Sequence, residues 1–332
     1  MLIKELQIEG FRSLRSVTWK PGRLNVLIGP NGGGKSNLLR ALELIRASAT
    51  GSLSDAVIRM GGMAPLVWDG EARIIKFVLD LSDEVSPRGR SRYEVVLTRL
   101  GNTGGFEQLP RKAHSFRKGF RDWSIHNDMR VDQEAELRRA TVTRSERRVA
   151  EDGQNLISVL HTLYENDGEF ENFIDNAMAA AFPNDYAKLS FPPAEHGRTE
   201  MRIRRKHRKS SDSPADLSDG TLRFLLLLAV LGNPAPAPFI AIDEPETGLH
   251  PRMLSIIAEV AANAAMKTQV LLTTHAPQLL DAFGDDLPTT TIVTSNGSES
   301  ALKTVNAKDL KRWVANYSLG KFAFSGEAEA VS

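Results

Sequence analysis

Apolar positions along this chain switch between two periods, and each stretch predicts a different element. Leu6 and Ile8 alternate with Gln7 and Glu9, which predicts a strand; the run Leu24-Asn25-Val26-Leu27-Ile28 predicts a buried strand ending at Gly29. From Lys35 to about Ala47, Leu38, Ala41, Leu42 and Ile45 recur at helical spacing. Every second residue is then apolar in Ile75, Phe77, Leu79 and Leu81, and again in Tyr93, Val95 and Leu97. These runs predict two antiparallel strands with Pro87-Arg88-Gly89 in their connection.

From about Gly101 to His196 the character changes. Leu156, Val159, Leu160 and Leu163 mark one amphipathic helix, and Phe170, Phe173, Ile174 and Met178 mark another. Between Arg111 and Arg148 the chain is charge-rich and weakly periodic, with no heptad sustained over several turns, so a long coiled coil is not expected. Residues 198–209 are strongly basic, with Arg198, Arg202, Arg204, Arg205, Lys206, Arg208 and Lys209 against Glu200 alone. In the last third, helices at Thr221–Leu231, Pro251–Ala265 and Pro277–Phe283 alternate with strands at Phe239–Ile242, Gln269–Leu272 and Thr289–Val293. Asn296-Gly297 reads as a hairpin turn, and a final helix is expected near Lys308–Tyr317. Such alternation argues for an α/β fold with a mostly parallel sheet flanked by helices.

Composition narrows the chemistry. The 332 residues carry 42 Lys and Arg against 41 Asp and Glu, so no global field selects a partner and any nucleic-acid preference must sit in a local patch. There is no cysteine, which removes disulfides, thiolate metal sites and cysteine nucleophiles. The longest apolar runs, such as Phe224 to Leu231, fall far short of a membrane span, and the N-terminus lacks a basic n-region and an apolar h-region. A cytoplasmic protein with no membrane partner is the expectation.

The sharpest local signal is Gly29-Pro30-Asn31-Gly32-Gly33-Gly34-Lys35-Ser36, which fits G-x-x-x-x-G-K-[ST] between a predicted buried strand and a helix. Glycines let successive backbone N–H groups turn inward around a phosphate, and the helix N-terminus adds positive partial charge. In that setting Lys35 would bridge β- and γ-phosphates and Ser36 would ligate Mg2+. The apolar strand Phe239-Ile240-Ala241-Ile242 ends in Asp243-Glu244. A parallel sheet would bring that edge beside the phosphate loop, with Asp243 on the Mg2+ shell and Glu244 orienting and deprotonating water. Read alone, the two acids are equally a strand end with a solvated turn. Ser218 in Leu217-Ser218-Asp219-Gly220-Thr221 is either a helix cap or a second anion site. Val270-Leu271-Leu272-Thr273-Thr274-His275 delivers a histidine to a strand end, where it is a γ-phosphate contact or a structural residue.

The order GPNGGGKS, LSDGT, FIAIDEPETGLHP, LLTTHAPQLL, behind an opening Ile-Glu-Gly-Phe-Arg-Ser-Leu, resembles the ATP-binding head of the ABC class in its RecF/SMC-like branch. Within that branch it resembles the bacterial AAA-type ATPases related to the OLD (overcoming lysogenisation defect) proteins. The similarity reaches Asp152–Leu156, Val159–Leu163, Tyr317–Gly320 and Ser325–Glu327, and is least secure over 101–150. It implies a P-loop NTPase of ABC head type with an antiparallel β lobe and a helical insertion. The divisions expected are 1–105 (ATPase lobe with the phosphate loop), 106–200 (helical, charged insertion) and 201–332 (lobe with signature, acid pair and switch histidine).

The resemblance also implies roles. Two subunits meet head to tail as a homodimer and sandwich two ATPs, with Asn31, Gly32, Gly33, Gly34, Lys35, Ser36 and Asn37 of one facing Ser218 and Gly220 of the other. Asp243 belongs to the metal site, Glu244 is the base, and His275 matches the switch histidine. Glu246-Thr247-Gly248-Leu249-His250 takes the place of the dimer-crossing loop. Arg12 either approaches the nucleotide or is a surface arginine. Leu217-Ser218-Asp219-Gly220-Thr221 departs from the common L-S-G-G-Q at its third and fifth positions. The Q-loop glutamine is not placed; Gln154 is a candidate whose other reading is a helix cap.

Two outputs follow from such a head. The first is an ATPase switch that regulates a separate effector, a nuclease or toxin, with phage defence as the role similar proteins imply. The second is a DNA-binding repair or recombination ATPase contacting phosphates through Arg111–Arg148 and Arg198–Lys209. Against it, Met201 and Ile203 alternate with the basic residues as in a solvated edge strand. A transporter subunit is not expected, nor is a fused TOPRIM nuclease, for which the stretch after His275 is too short. His114, His126 and Asp128 follow no metal-ligand spacing.

Overall fold

The computed structural model describes residues 1–70, 72–82, 90–101, 105–109, 117–284, 287–306 and 309–310. In chain order the elements are β1 (Leu2–Phe11), β2 (Leu14–Trp19), β3 (Leu24–Ile28), α1 (Lys35–Thr50), α2 (Leu53–Arg59), β4 (Ile74–Ser82), β5 (Arg90–Arg99) and β6 (Phe106–Leu109). Then come α3 (Arg117–Arg121), β7 (Ser124–His126), β8 (Thr141–Val142), α4 (Leu156–Asn166), α5 (Gly168–Ala181) and β9 (Tyr186–Ser190). Next are β10 (Pro193–Ala194), β11 (Arg198–Thr199), β12 (Arg202–Arg205), β13 (Ser211–Asp212) and α6 (Asp219–Leu231). The chain continues with β14 (Phe239–Asp243), α7 (Pro251–Ala265), β15 (Gln269–Thr274), α8 (Pro277–Asp281), β16 (Thr289–Ser295) and β17 (Ser300–Val305).

A six-stranded sheet in the order β17-β16-β3-β15-β14-β7 organises the molecule. Its strands run parallel except β17, which returns from β16 through the turn holding Asn296-Gly297. A second sheet, β2-β1-β4-β5-β6, is antiparallel throughout. Gln269 staples the two: its Oε1 accepts from Ile3 N at 2.9 Å and its Nε2 donates to the Ile3 and Gly22 carbonyls.

Period-two alternation in the parallel strands explains why the sheet has two buried faces. Val26 and Ile28, Ile240 and Ile242, Val270 and Leu272 join one apolar core with α4 to α7. Leu27, Phe239, Ala241 and Leu271 join the other, with α1 and the antiparallel sheet. Helix α6 is apolar nearly all round because it is buried nearly all round, from Leu222 to Leu231 except Arg223. The first core combines residues from 129–203 with residues from 217–310, so α4 and α5 share one interior with the last third of the chain.

The local signals place most of these elements. Helix α1 extends to Thr50 and stops at Gly51, whose φ of 87 lets its N–H reach the Ala47 carbonyl. One expectation is corrected: the basic run does not form an edge strand, because β12 is the middle strand of β13-β12-β9. Met201 and Ile203 are buried there, Arg205 is paired with Asp185 and Asp212, and Arg202 with Glu200 at 2.9 Å. The connection Pro87–Gly89, His114, residues 317–320 and 325–327, and all of the last expected helix but its 309–310 turn fall outside the described residues. Among the described residues no helix is long and apolar enough to cross a membrane.

Candidate nucleotide site

Register brings the predicted chemistry to one edge. Ile28 pairs with Thr274 and Ile292, Asp243 with Thr273, and His126 with Ile242, so the exits of β3, β15, β14 and β7 lie side by side. The phosphate loop, Asp243-Glu244, His275 and Asn127 all follow from those exits.

The loop is made of backbone. Gly32 and Gly34 have φ of 77 and 109, a region that glycine enters without cost. A Cβ on Gly34 would also meet Ser300 Oγ at 2.3 Å. Ser300 and Ser13 brace the loop from outside: Ser300 Oγ donates its one proton to the Gly33 carbonyl at 2.7 Å and lies 2.7 Å from Ser13 Oγ, which accepts from Asn37 Nδ2 at 2.8 Å. Asn37 thus supports the loop, whereas Asn31 and Gly32 are exposed at its tip. Lys35 Nζ donates to the Gly29 and Pro30 carbonyls at 2.8 and 3.0 Å. An ammonium has three N–H bonds, so one is left for a phosphate oxygen. Burial lowers the Lys35 pKa, while the charges of Glu244, Asp243 and Glu246 hold it up.

Ser36 Oγ donates to Asp243 Oδ2 at 3.3 Å, and Thr273 donates to Oδ1. Burial raises the Asp243 pKa, with the neighbouring Glu244 adding to the effect. A hydroxyl and a desolvated carboxylate side by side are hard oxygen ligands of the kind Mg2+ takes beside phosphates and water. The donor set therefore fits that ion. Among the described residues no group of three or more His, Asp or Glu side chains is arranged to hold a metal. His126 is instead buried, with Ser124 Oγ at 2.7 Å from Nε2 and the Glu151 carbonyl at 3.2 Å from Nδ1, and burial lowers its pKa.

Glu244 leaves its strand in the left-handed region, φ 46, while its N–H still reaches the Thr273 carbonyl at 2.9 Å. His275 Nδ1 lies 2.9 Å from Glu244 Oε1 and 3.9 Å from Glu246 Oε1. Glu246 is buried, accepts from Thr274, and leaves Oε2 buried without a hydrogen bond; burial raises its pKa. Motif spacing pointed to Glu244 and His275 but gave Glu246 only a place in a loop.

The signature forms a second cluster. Ser218 caps α6, accepting from Thr221 N at 3.2 Å with Thr221 Oγ1 at 2.9 Å. Gly220 lies against the loop after Glu244, where an added Cβ would stand 2.3 Å from the Gly248 carbonyl. One turn further, Arg223 Nη2 donates to the Glu244 and Asp243 carbonyls at 2.8 and 3.4 Å. Arg223 therefore joins this helix to the acid pair, and burial lowers its pKa against the pull of Glu246, Glu244, Asp243 and Asp128. No motif or spacing in the sequence marks Arg223, a lone arginine within the apolar helix α6. Arg12 sits in the tight turn before Ser13, with φ 47 and a buried Nε that has no partner; burial, then the charge of Arg40, lowers its pKa. Gln154 bonds Leu137 N, the Arg130 carbonyl and the Asp152 carbonyl, bracing a loop. Asn127, at the exit of β7 next to Asp243, donates to Glu43 at 2.6 Å and keeps a buried Oδ1 without a partner.

A glycine-rich loop, an acid pair and a histidine on one edge of this sheet, with a Ser-capped helix beside them, give the chain a P-loop fold of ATPase-head type. The chain belongs to the family described as "AAA domain, putative AbiEii toxin, Type IV TA system", whose model matches residues 24–281. A protein named OLD nuclease, from Thermus scotoductus (strain ATCC 700910 / SA-01), is 38% identical over 52 residues, which is 16% of this chain and 10% of that protein. The chain thus matches about a tenth of that relative's length. Among solved structures, an SMC head bound to the C-winged helix domain of ScpA superposes with a TM-score of 0.66 at 14% identity, covering 94% of this chain and 100% of that one. The SMC head domain of Thermotoga maritima gives 0.54 at 18% identity, covering 92% and 100%. An SMC head with an extended coiled coil, bound to the C-terminal domain of ScpA and derived from Pyrococcus furiosus, gives 0.62 at 13%, covering 95% and 99%. At such identities the likeness is one of fold.

Proposed function

We propose that this protein binds ATP with Mg2+ at the common strand edge and hydrolyses it to ADP and phosphate between two copies of the chain. The pairing of Glu244 with His275 at 2.9 Å, next to Asp243 and Lys35, carries the reading. Loop N–H groups and Lys35 hold the β- and γ-phosphates. Ser36 and Asp243 would hold Mg2+, which when bound would neutralise phosphate charge. Glu244 accepts a proton from the attacking water as its oxygen bonds the γ-phosphorus and the bond to the ADP oxygen breaks. His275 fixes the Glu244 carboxylate and faces the leaving γ-phosphate. Most of the barrier reduction comes from positioning and charge neutralisation. Ser218 and the N–H groups after it, Gly220 included, meet the γ-phosphate bound by a second copy, with Arg12 at the rim of the nucleotide pocket.

ATP then closes a homodimer and hydrolysis releases it, so the chain acts as a switch on a separate effector. The nuclease named in the relative and the toxin named in the family description support a nuclease or toxin in that place, and phage defence is the setting we propose. A DNA-binding repair ATPase has less support, because Arg202 and Arg205 are already paired with acids and only part of the basic run, Arg198, Arg204, Lys206, Arg208 and Lys209, is exposed.

Steady-state ATP hydrolysis at one low salt concentration, with and without duplex DNA, tests both readings. Turnover that DNA leaves unchanged supports the protein-effector switch. A several-fold stimulation that fades with salt supports the DNA reading. No turnover above that of the Glu244→Gln variant sinks the hydrolytic assignment.

A further inference from the structure

The signature segment is held in place by one side chain from a distant part of the chain. Arg138 closes the short helical turn Glu136–Arg138, and its side chain is 3% exposed. Its Nε donates to the Val131 and Asp132 carbonyls at 3.0 and 2.9 Å. Nη1 donates to the Pro214 and Leu217 carbonyls at 3.0 and 2.8 Å, and Nη2 to the Val131 carbonyl at 2.8 Å and to Asp219 Oδ1 at 2.5 Å. A buried guanidinium is costly unless its N–H groups are satisfied, and here each nitrogen has two acceptors.

The placement of those acceptors gives the contact its meaning. Leu217 precedes Ser218 and Asp219 follows it, so a single planar group grips the backbone before the signature serine and the side chain after it. The loop that presents Arg138 is tied down in turn by Gln154, which accepts from Leu137 N and donates to the Arg130 carbonyl. That loop follows directly from the exit of β7, whose His126 is in register with Ile242 of β14.

We infer that Arg138 is the positioning residue of the signature, and that residues 127–138 set the place of Ser218 through it. The inference rests on the reading that Ser218 meets ATP held by a second copy. It also gives a physical reason for the departure from L-S-G-G-Q, since the aspartate at the third position is the guanidinium's anionic partner. Anything that grips or shifts this loop would therefore change the contact made in trans.

The test compares Asp219→Ala, Arg138→Lys and Ser218→Arg with the parent protein. Asp219 is 61% exposed, so Asp219→Ala removes one acceptor at the surface and keeps the fold even where Arg138→Lys does not. A lysine offers three donors and no planar fork, so it cannot replace the six contacts. Expected for Asp219→Ala is a kcat at least about fivefold lower, with monomer ATP affinity and thermal midpoint near the parent values. Specific activity should also rise more slowly with protein concentration, because pairing is weakened. Combining Asp219→Ala with Arg138→Lys should cost less than the product of the two separate losses, as it does for groups acting through one contact. Parent-like kcat and concentration dependence in Asp219→Ala, with Ser218→Arg inactive, overturns this inference and leaves the trans reading standing. Full activity in Ser218→Arg overturns the trans reading itself.

Discussion

The phosphate loop and the signature segment both lie at helix N-termini, yet they are built by opposite means. The loop is backbone: glycines at φ 77 and 109, with Ser13 closing in from a turn and Ser300 from the start of β17. Contacts with other parts of the chain place the signature segment: the Arg138 guanidinium on its flank, the Gly248 carbonyl against Gly220, and Arg223, one turn along the same helix, bonded to the Glu244 carbonyl. A site made of backbone writes its geometry into a contiguous motif. One made of long-range side-chain contacts leaves only a few letters near the serine.

The largest effect expected is at the loop. Lys35→Ala should weaken ATP binding about 100-fold or more, the scale of losing a charge-assisted contact of roughly 3 kcal/mol. Titration with a fluorescent nucleotide reads this, and unchanged affinity would remove the loop assignment. Glu244→Gln leaves both halves of the comparison intact and should slow single-turnover hydrolysis at least about tenfold while ATP still binds. Near-parent rates would dismiss Glu244 as the base.

Two glycine substitutions then separate the halves. Gly220→Ala drives a Cβ into the Gly248 carbonyl and should cost about 1–3 kcal/mol of stability, with turnover lost and monomer nucleotide affinity kept. Gly32→Ala meets nothing within 4 Å and pays only for its positive φ, about 1 kcal/mol. Calorimetric unfolding ranks the two, and a reversed order would contradict the packing described for Gly220.

The smallest effect concerns pH. Burial raises the pKa of Asp243 and of Glu246, so the folded chain holds protons the unfolded chain has already released. Their contribution to stability is therefore lost as pH rises from the ordinary carboxylate values through the raised ones. Mg-ATP places a cation beside Asp243, so the upward shift it causes in thermal midpoint should be greater at pH 8 than at pH 5. Equal shifts would argue against Asp243 as part of the metal site.

Much of the frame was legible from periodicity alone. Leu24–Ile28 and Pro251–Ala265 form over the residues their patterns mark, because alternation and helical spacing are local properties. Strand β7 was not legible, since three residues are too few to show a period. The basic run looked like an edge strand because its alternation is the same whether one neighbour or two are paired with it; the partners, β9 and β13, are set by the tertiary fold. In the site, Lys35, Ser36, Asp243, Glu244 and His275 could be found by motif. Ser13, Ser300, Arg223 and Arg138 could not, because each acts on a segment far away in the chain and leaves no spacing to detect.

The backbone at Glu244 has one further consequence. A glutamate at φ 46 sits where side chains other than glycine and asparagine pay of order 1–3 kcal/mol, and the rest of the fold must hold it there. Selection for heat resistance, blind to turnover, would be drawn to this position and would discard the glutamate for glycine. With Glu244 as the proposed base, robustness and work would compete at a single peptide unit, so redesign for heat resistance should leave residue 244 alone and look for its gains elsewhere.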